Sequence, residues 1–111
     1  MAIKAASIVF LTLAGTLPAM AGRDFTFPSI DGGTVSMQDW AGQPVLVVNT
    51  ASLCGFTGQY EDLQALYDRF SARGLVVLAV PSDDFRQELA TAEEVKEFCE
   101  VNFNLTLPMT D

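Results

Sequence analysis

The chain has 111 residues, half of them apolar, which suits one small globular domain and leaves no room for two. Fourteen Asp and Glu against six Lys and Arg give a net charge of −8. A surface this acidic repels phosphate backbones and anionic lipid, which argues against nucleic acid and the membrane surface as partners. Histidine is absent, removing His-containing metal sites, Ser-His-Asp triads and Cys-His pairs together. Two cysteines are too few for a disulfide scaffold but enough for one redox pair.

Residues 1–21 read as an export signal. Lys4 gives a basic start, Ala5 to Leu17 is a nearly unbroken apolar run, and Pro18-Ala19-Met20-Ala21 places small residues where a cleavage before Gly22 needs them. The alternative is an uncleaved anchor, but the run is shorter than the roughly 20 residues of a membrane span. Export predicts a periplasmic or secreted mature domain, residues 22–111. In that oxidising compartment a thiol enzyme needs a dedicated source of electrons.

Along the mature chain, Asp24 to Ile30 and Thr34 to Met37 flank Asp31-Gly32-Gly33, whose glycines supply the positive φ of a hairpin turn. Ser36 to Trp40 predicts a short helical turn closed by Gly42, with Trp40 in the core. Pro44 to Ala51 carries Val45-Leu46-Val47-Val48, the continuous apolar pattern of a strand buried on both faces. Gln59 to Ala72 is helical: Tyr60, Leu63, Leu66, Tyr67 and Phe70 recur at helical spacing, and Gly74 sits at the C-terminal cap. Leu75 to Val80 is a second buried strand, ended by Pro81. Thr91 with Glu94 forms a capping box for a second helix, carried on by Val95, Phe98, Val101 and Asn102. Leu105 to Met109 begins an extended segment. Strand, helix, strand, helix in this order predicts a parallel β-α-β core in an α/β fold, whose sheet needs further strands at its open edge.

Cys54 follows the first buried strand and precedes the helix near Gln59, the place where parallel α/β sheets present functional groups. The backbone N–H groups of Gly55, Phe56 and Thr57, with the helix dipole, would stabilise a thiolate there. An inert buried cysteine is the competing reading, though such a residue belongs more naturally inside a strand. Cys99 lies on the second helix beside Val95 and Phe98. It is read either as a core residue or as a resolving thiol that closes a disulfide with Cys54.

The run Val47-Val-Asn-Thr-Ala-Ser-Leu-Cys-Gly-Phe-Thr-Gly-Gln-Tyr resembles the signature of glutathione peroxidases, V-N-x-A-S-x-[C/U]-G-x-T. Leu63-Gln-Ala-Leu-Tyr, Gly74-Leu-Val-Val-Leu-Ala-Val-Pro, Glu93-Glu-Val-Lys-Glu-Phe-Cys and Leu107-Pro-Met are similar to later parts of that family, so the resemblance covers nearly all of residues 23–111. It implies a thioredoxin-like fold of the glutathione peroxidase type, lacking its C-terminal strands and helix. It also makes Cys54 the peroxidatic cysteine, oxidised by hydrogen peroxide or an organic hydroperoxide to a sulfenic acid. Glutathione or a thioredoxin-like protein would be the reductant, in the response to oxidative stress. No cofactor is expected, and the protein would be a monomer or weak oligomer.

The departures from the family pattern are specific. Its motif F-P-C-N-Q-F-G-x-Q-E becomes Val80-Pro-Ser-Asp-Asp-Phe-Arg-Gln-Glu, one residue shorter, with Asp83-Asp84 in place of Asn-Gln. The resemblance makes Gln87 the amide partner of Cys54; the competing reading is a solvated loop amide. Asp83 and Asp84 read as a solvated loop. The family's W-N-F-x-K-F motif has no counterpart before Asp111. Cys99 stands one residue before the usual resolving position, which turns its side chain by about 100° on a helix. A thiol-disulfide oxidoreductase is the alternative, disfavoured because Thr57 occupies the second cysteine position of a C-x-x-C. A catalytically impaired remnant acting as a binding domain is the other.

Overall fold

The computed structural model describes residues 25–111; the export signal expected over 1–21 lies outside them. Strands β1 (Thr26–Pro28) and β2 (Thr34–Ser36) form the antiparallel hairpin, Phe27 opposite Val35. Gly32 and Gly33 turn it at φ of 87° and 75°, a region that residues with a Cβ seldom adopt. The Ser36 side chain accepts from the Gln38 N–H and caps a single 3-10 turn, Met37–Trp40. Trp40 is only half-buried rather than in the core, because that turn buries none of its residues.

The centre of the fold is β4 (Val76–Pro81), paired in parallel with β3 (Val45–Thr50) from Val45↔Val76 to Thr50↔Pro81. On its other edge Ala79 bridges Met109, and Thr110 reaches on to Ser29 of the hairpin. Val77 and Leu78 are fully buried. Burial of each such side chain contributes about 1.5–3 kcal/mol. The expectation that β3 is buried on both faces fails: its neighbours Leu46 and Val47 are 38% and 55% exposed. Successive residues point to opposite faces, so both faces are partly open. The inner position belongs to β4, which pairs with β3 on one edge and is bridged by Met109 on the other.

Helix α1 (Gln59–Phe70) runs on through a 3-10 turn, Ser71–Arg73, to Gly74, left-handed at φ 98° as a cap requires. Helix α2 (Ala92–Phe103) starts at the predicted capping box, with Thr91 and Glu94 bonded reciprocally, and ends on left-handed Asn104. Tyr60 of α1 and Val95 and Cys99 of α2 share one core with Val77, Ala79, Leu105, Leu107 and Met109. Val101, placed on the apolar stripe of α2 by its sequence, is 75% exposed.

One buried polar side chain joins the layers. Gln64 donates from Nε2 to Asp68 Oδ1 and Thr106 Oγ1, both at 2.8 Å. Its Oε1 accepts from the N–H groups of Thr106 (2.8 Å) and Leu107 (3.4 Å). The 105–110 segment is thereby tied to α1 at one end and to β4 at the other.

Candidate functional site

β3 ends at Thr50, and the chain then runs through successive turns over residues 52–58 before α1 begins. Cys54 sits in that passage, its N–H bonded to the Ala51 carbonyl (3.3 Å) and its carbonyl accepting from Thr57 N–H (3.2 Å). It is a free, half-buried thiol. A cavity of about 60 Å³ adjoins it, lined among others by Thr50, Phe56, Thr57 and Tyr60. The Thr57 N–H is held by the Cys54 carbonyl, so of the three amides after Cys54 those of Gly55 and Phe56 are without a main-chain acceptor among the described residues. Leu53, Phe56 and Phe85 are 59%, 73% and 76% exposed.

The passage is tied to residues 82–88, the segment that follows β4. Ser82 N–H donates to the Thr50 carbonyl (3.0 Å) and Leu53 N–H donates to the Gln87 carbonyl (2.7 Å). Ser52 N–H donates to Glu88 Oε1 (2.9 Å). Gln87 is therefore beside the residue that precedes Cys54, joined to it through its main chain; its side chain is exposed and makes no hydrogen bond among the described residues. Asp83 belongs to the loop's own scaffold: Oδ1 accepts from Glu88 N–H (3.1 Å) and its carbonyl accepts from Arg86 N–H (2.8 Å). Arg86 is left-handed, at φ 56°. Sequence reasoning missed Glu88. Its only signal was its place next to Gln87 in the matched motif.

Cys99 is 3% exposed and packs inward among the core side chains. Burial pushes its thiol up to about 11, helped by the carboxylates of Glu88 and Glu100, so it is a neutral thiol at ordinary pH. Tyr60, which lines the Cys54 cavity, is pushed up to about 12, first by burial and then by Cys99 and Glu88. Among the described residues no group of three or more His, Cys, Asp or Glu is placed to hold a metal ion, and no helix is long and apolar enough to cross a membrane.

A parallel β-α-β core with its thiol just beyond the end of a strand defines a thioredoxin-like protein. Among solved structures it is similar to a secreted Mycobacterium tuberculosis disulfide oxidoreductase (TM-score 0.63, 14% identity, 78% of this chain and 59% of that one). It is likewise similar to GPX1 of T. cruzi (TM-score 0.55, 27% identity, 78% and 50%).

The family model for glutathione peroxidase matches residues 23–111, and the chain belongs to that family. A hydroperoxy fatty acid reductase of Synechocystis sp. is 46% identical over 86 residues, 77% of this chain and 51% of that protein. The chain spans about half the length of the curated relatives it matches.

Proposed function

We propose that this protein is a thiol peroxidase in which Cys54 reduces hydrogen peroxide or an organic hydroperoxide, with glutathione or a thioredoxin-like protein as reductant, in defence against oxidative stress. The observation that carries the reading is the placement of Cys54, accessible beside a cavity in the turns that leave β3, within the run that matches the family signature. The thiolate attacks one peroxide oxygen. An S–O bond forms as the O–O bond breaks, the departing oxygen takes a proton and leaves as water or an alcohol, and the sulfur becomes a sulfenic acid. Two reductant thiols then remove the oxygen as water and become a disulfide.

The N–H groups of Gly55 and Phe56, which have no main-chain acceptor among the described residues, would serve as donors for the sulfur's charge, with Thr57 shaping the turn through its bond to the Cys54 carbonyl. Gln87 is the amide partner; its support is the 2.7 Å bond between its main chain and Leu53. Cys99 takes no part while α2 stays folded, because a buried neutral thiol is a poor nucleophile. A Cys54–Cys99 disulfide would therefore require the helix to unwind. Residues 1–21 act as a cleaved export signal, and the mature domain, 22–111, works in the periplasm or outside the cell; the mass of the exported protein checks this.

The test treats reduced protein with stoichiometric hydrogen peroxide and a sulfenic-acid reagent, following the mass of each cysteine. Wild type and Cys99→Ser label rapidly at Cys54, and Cys54→Ser does not label. Labelling of Cys54 no faster than that of a free thiol in solution defeats the proposal.

A further inference from the structure

Three hydrogen bonds tie residues 50–53 to the segment 82–88, and one of the three is made by a side chain. That side chain is Glu88. Its Oε1 accepts from two main-chain donors, Ser52 N–H and Leu89 N–H, both at 2.9 Å. A carboxylate oxygen holding N–H groups is about twice as strong an acceptor as a neutral one. Glu88 is itself fixed from behind, since its N–H donates to Asp83 Oδ1.

Two polar atoms at this anchor are buried with no partner among the described residues: Glu88 Oε2 and Ser52 Oγ. An orphaned buried acceptor is costly, and a core tie serving stability alone would be better made by a group that leaves none. The cost is borne two residues before the reactive cysteine. The carboxylate does not line the Cys54 cavity itself, but its charge acts on Tyr60, which does, and on the buried Cys99.

We propose that Glu88 is a positioning residue for Cys54: by clamping the Ser52 N–H, in register with the Gln87 carbonyl on the Leu53 N–H, it sets where the sulfur stands relative to the Gly55 and Phe56 amides. The proposal rests on the reading of Cys54 as the reacting group. What it requires of Glu88 is an acceptor oxygen at this exact reach, and the charge is secondary. A displacement of about 1 Å at a reacting atom is enough to cost up to a hundredfold in rate.

Three full-chain variants separate reach from charge. Glu88→Gln keeps an acceptor at the Oε1 position, Glu88→Asp keeps the charge but withdraws it by one methylene, and Glu88→Ala removes both. Two rates are read at Cys54 by mass: oxidation by hydrogen peroxide and alkylation by iodoacetamide. Glu88→Gln stays within twofold of wild type in both. Glu88→Asp and Glu88→Ala oxidise at least fivefold more slowly, and their alkylation rates move by threefold or more. Leu105→Ala, a core truncation at the far end of α2, lowers the melting temperature without moving either rate.

Wild-type rates in folded Glu88→Ala and Glu88→Asp overturn the proposal. So does Glu88→Gln falling as far as Glu88→Ala, or Leu105→Ala slowing Cys54 equally. Should Glu88→Ala fail to fold, the order of Gln over Asp decides. If wild-type Cys54 is inert to peroxide yet alkylation still orders Gln apart from Asp, the peroxidase reading falls and the positioning role stands.

Discussion

Gln64→Leu tests the join between α1 and the chain's last segment. Leucine keeps most of the volume but removes four hydrogen bonds: two to Thr106, one to Asp68 and one to the Leu107 N–H. Thr106 and Asp68 are exposed and regain water, so each bond there counts for the usual net of about 0.5–1.5 kcal/mol. Leu107 is buried, and its N–H left without an acceptor costs about 1–3 kcal/mol, toward the low end because that bond is long at 3.4 Å. The gain from placing an apolar group in an apolar setting offsets part of this. The expected loss is about 2–3 kcal/mol out of a total stability of roughly 5–15 kcal/mol. For a domain of this size that lowers the melting temperature by about 10–20 °C.

Urea unfolding of wild type, Gln64→Leu, Thr106→Val and the double variant measures both the loss and the Gln64–Thr106 coupling, expected at about 0.5–1 kcal/mol. A loss below about 0.5 kcal/mol with no coupling would show that Gln64 does not staple α1 to the 105–110 segment.

Three further outcomes follow from local geometry. Arg86→Gly, at a left-handed position, raises stability by about 0.5–1 kcal/mol in denaturant titration, since relief of the φ 56° strain exceeds the entropy of the added glycine. Thr91→Ala removes the side-chain half of the α2 capping box and costs about 1 kcal/mol by the same measurement. Stability also declines at alkaline pH. Cys99 and Tyr60 hold their protons to about 11 and 12 when folded, against ordinary values of 9.0 and 10.0. The folded state thus binds more protons in that window: the contribution is complete below pH 9 and is lost as pH rises through 11 to 12. Melting curves from pH 8 to 12 check the sign, and Cys99→Ala removes part of the slope.

Local signals were sufficient for much of the fold. The Asp31-Gly32-Gly33 turn, the Thr91–Glu94 capping box and the Gly74 cap are each decided by the conformations and bonds of a few neighbouring residues, and each stands where its residues put it. The strand that precedes Cys54 and the helix that follows were equally legible, because an apolar run and a 3.6-residue stripe are properties of one segment. The family was legible from the contiguous residues around Cys54.

What the sequence did not disclose were facts about pairs of segments. Four apolar residues in a row fit a central strand as well as an edge strand, and only the pairing of β4 with both β3 and Met109 showed which was which. Cys99 had two faces open to it until α2 was packed; the packing turned it into the core. Gln64 and Glu88 were polar residues without a pattern of their own, and their partners stand 42 and 36 residues away in the chain. The sequence by itself determined where the thiol is and which elements flank it, since those depend on local backbone chemistry. The tertiary structure alone decided which carboxylate and which carbonyl hold that thiol's turn, because a hydrogen bond between distant segments has no local cause.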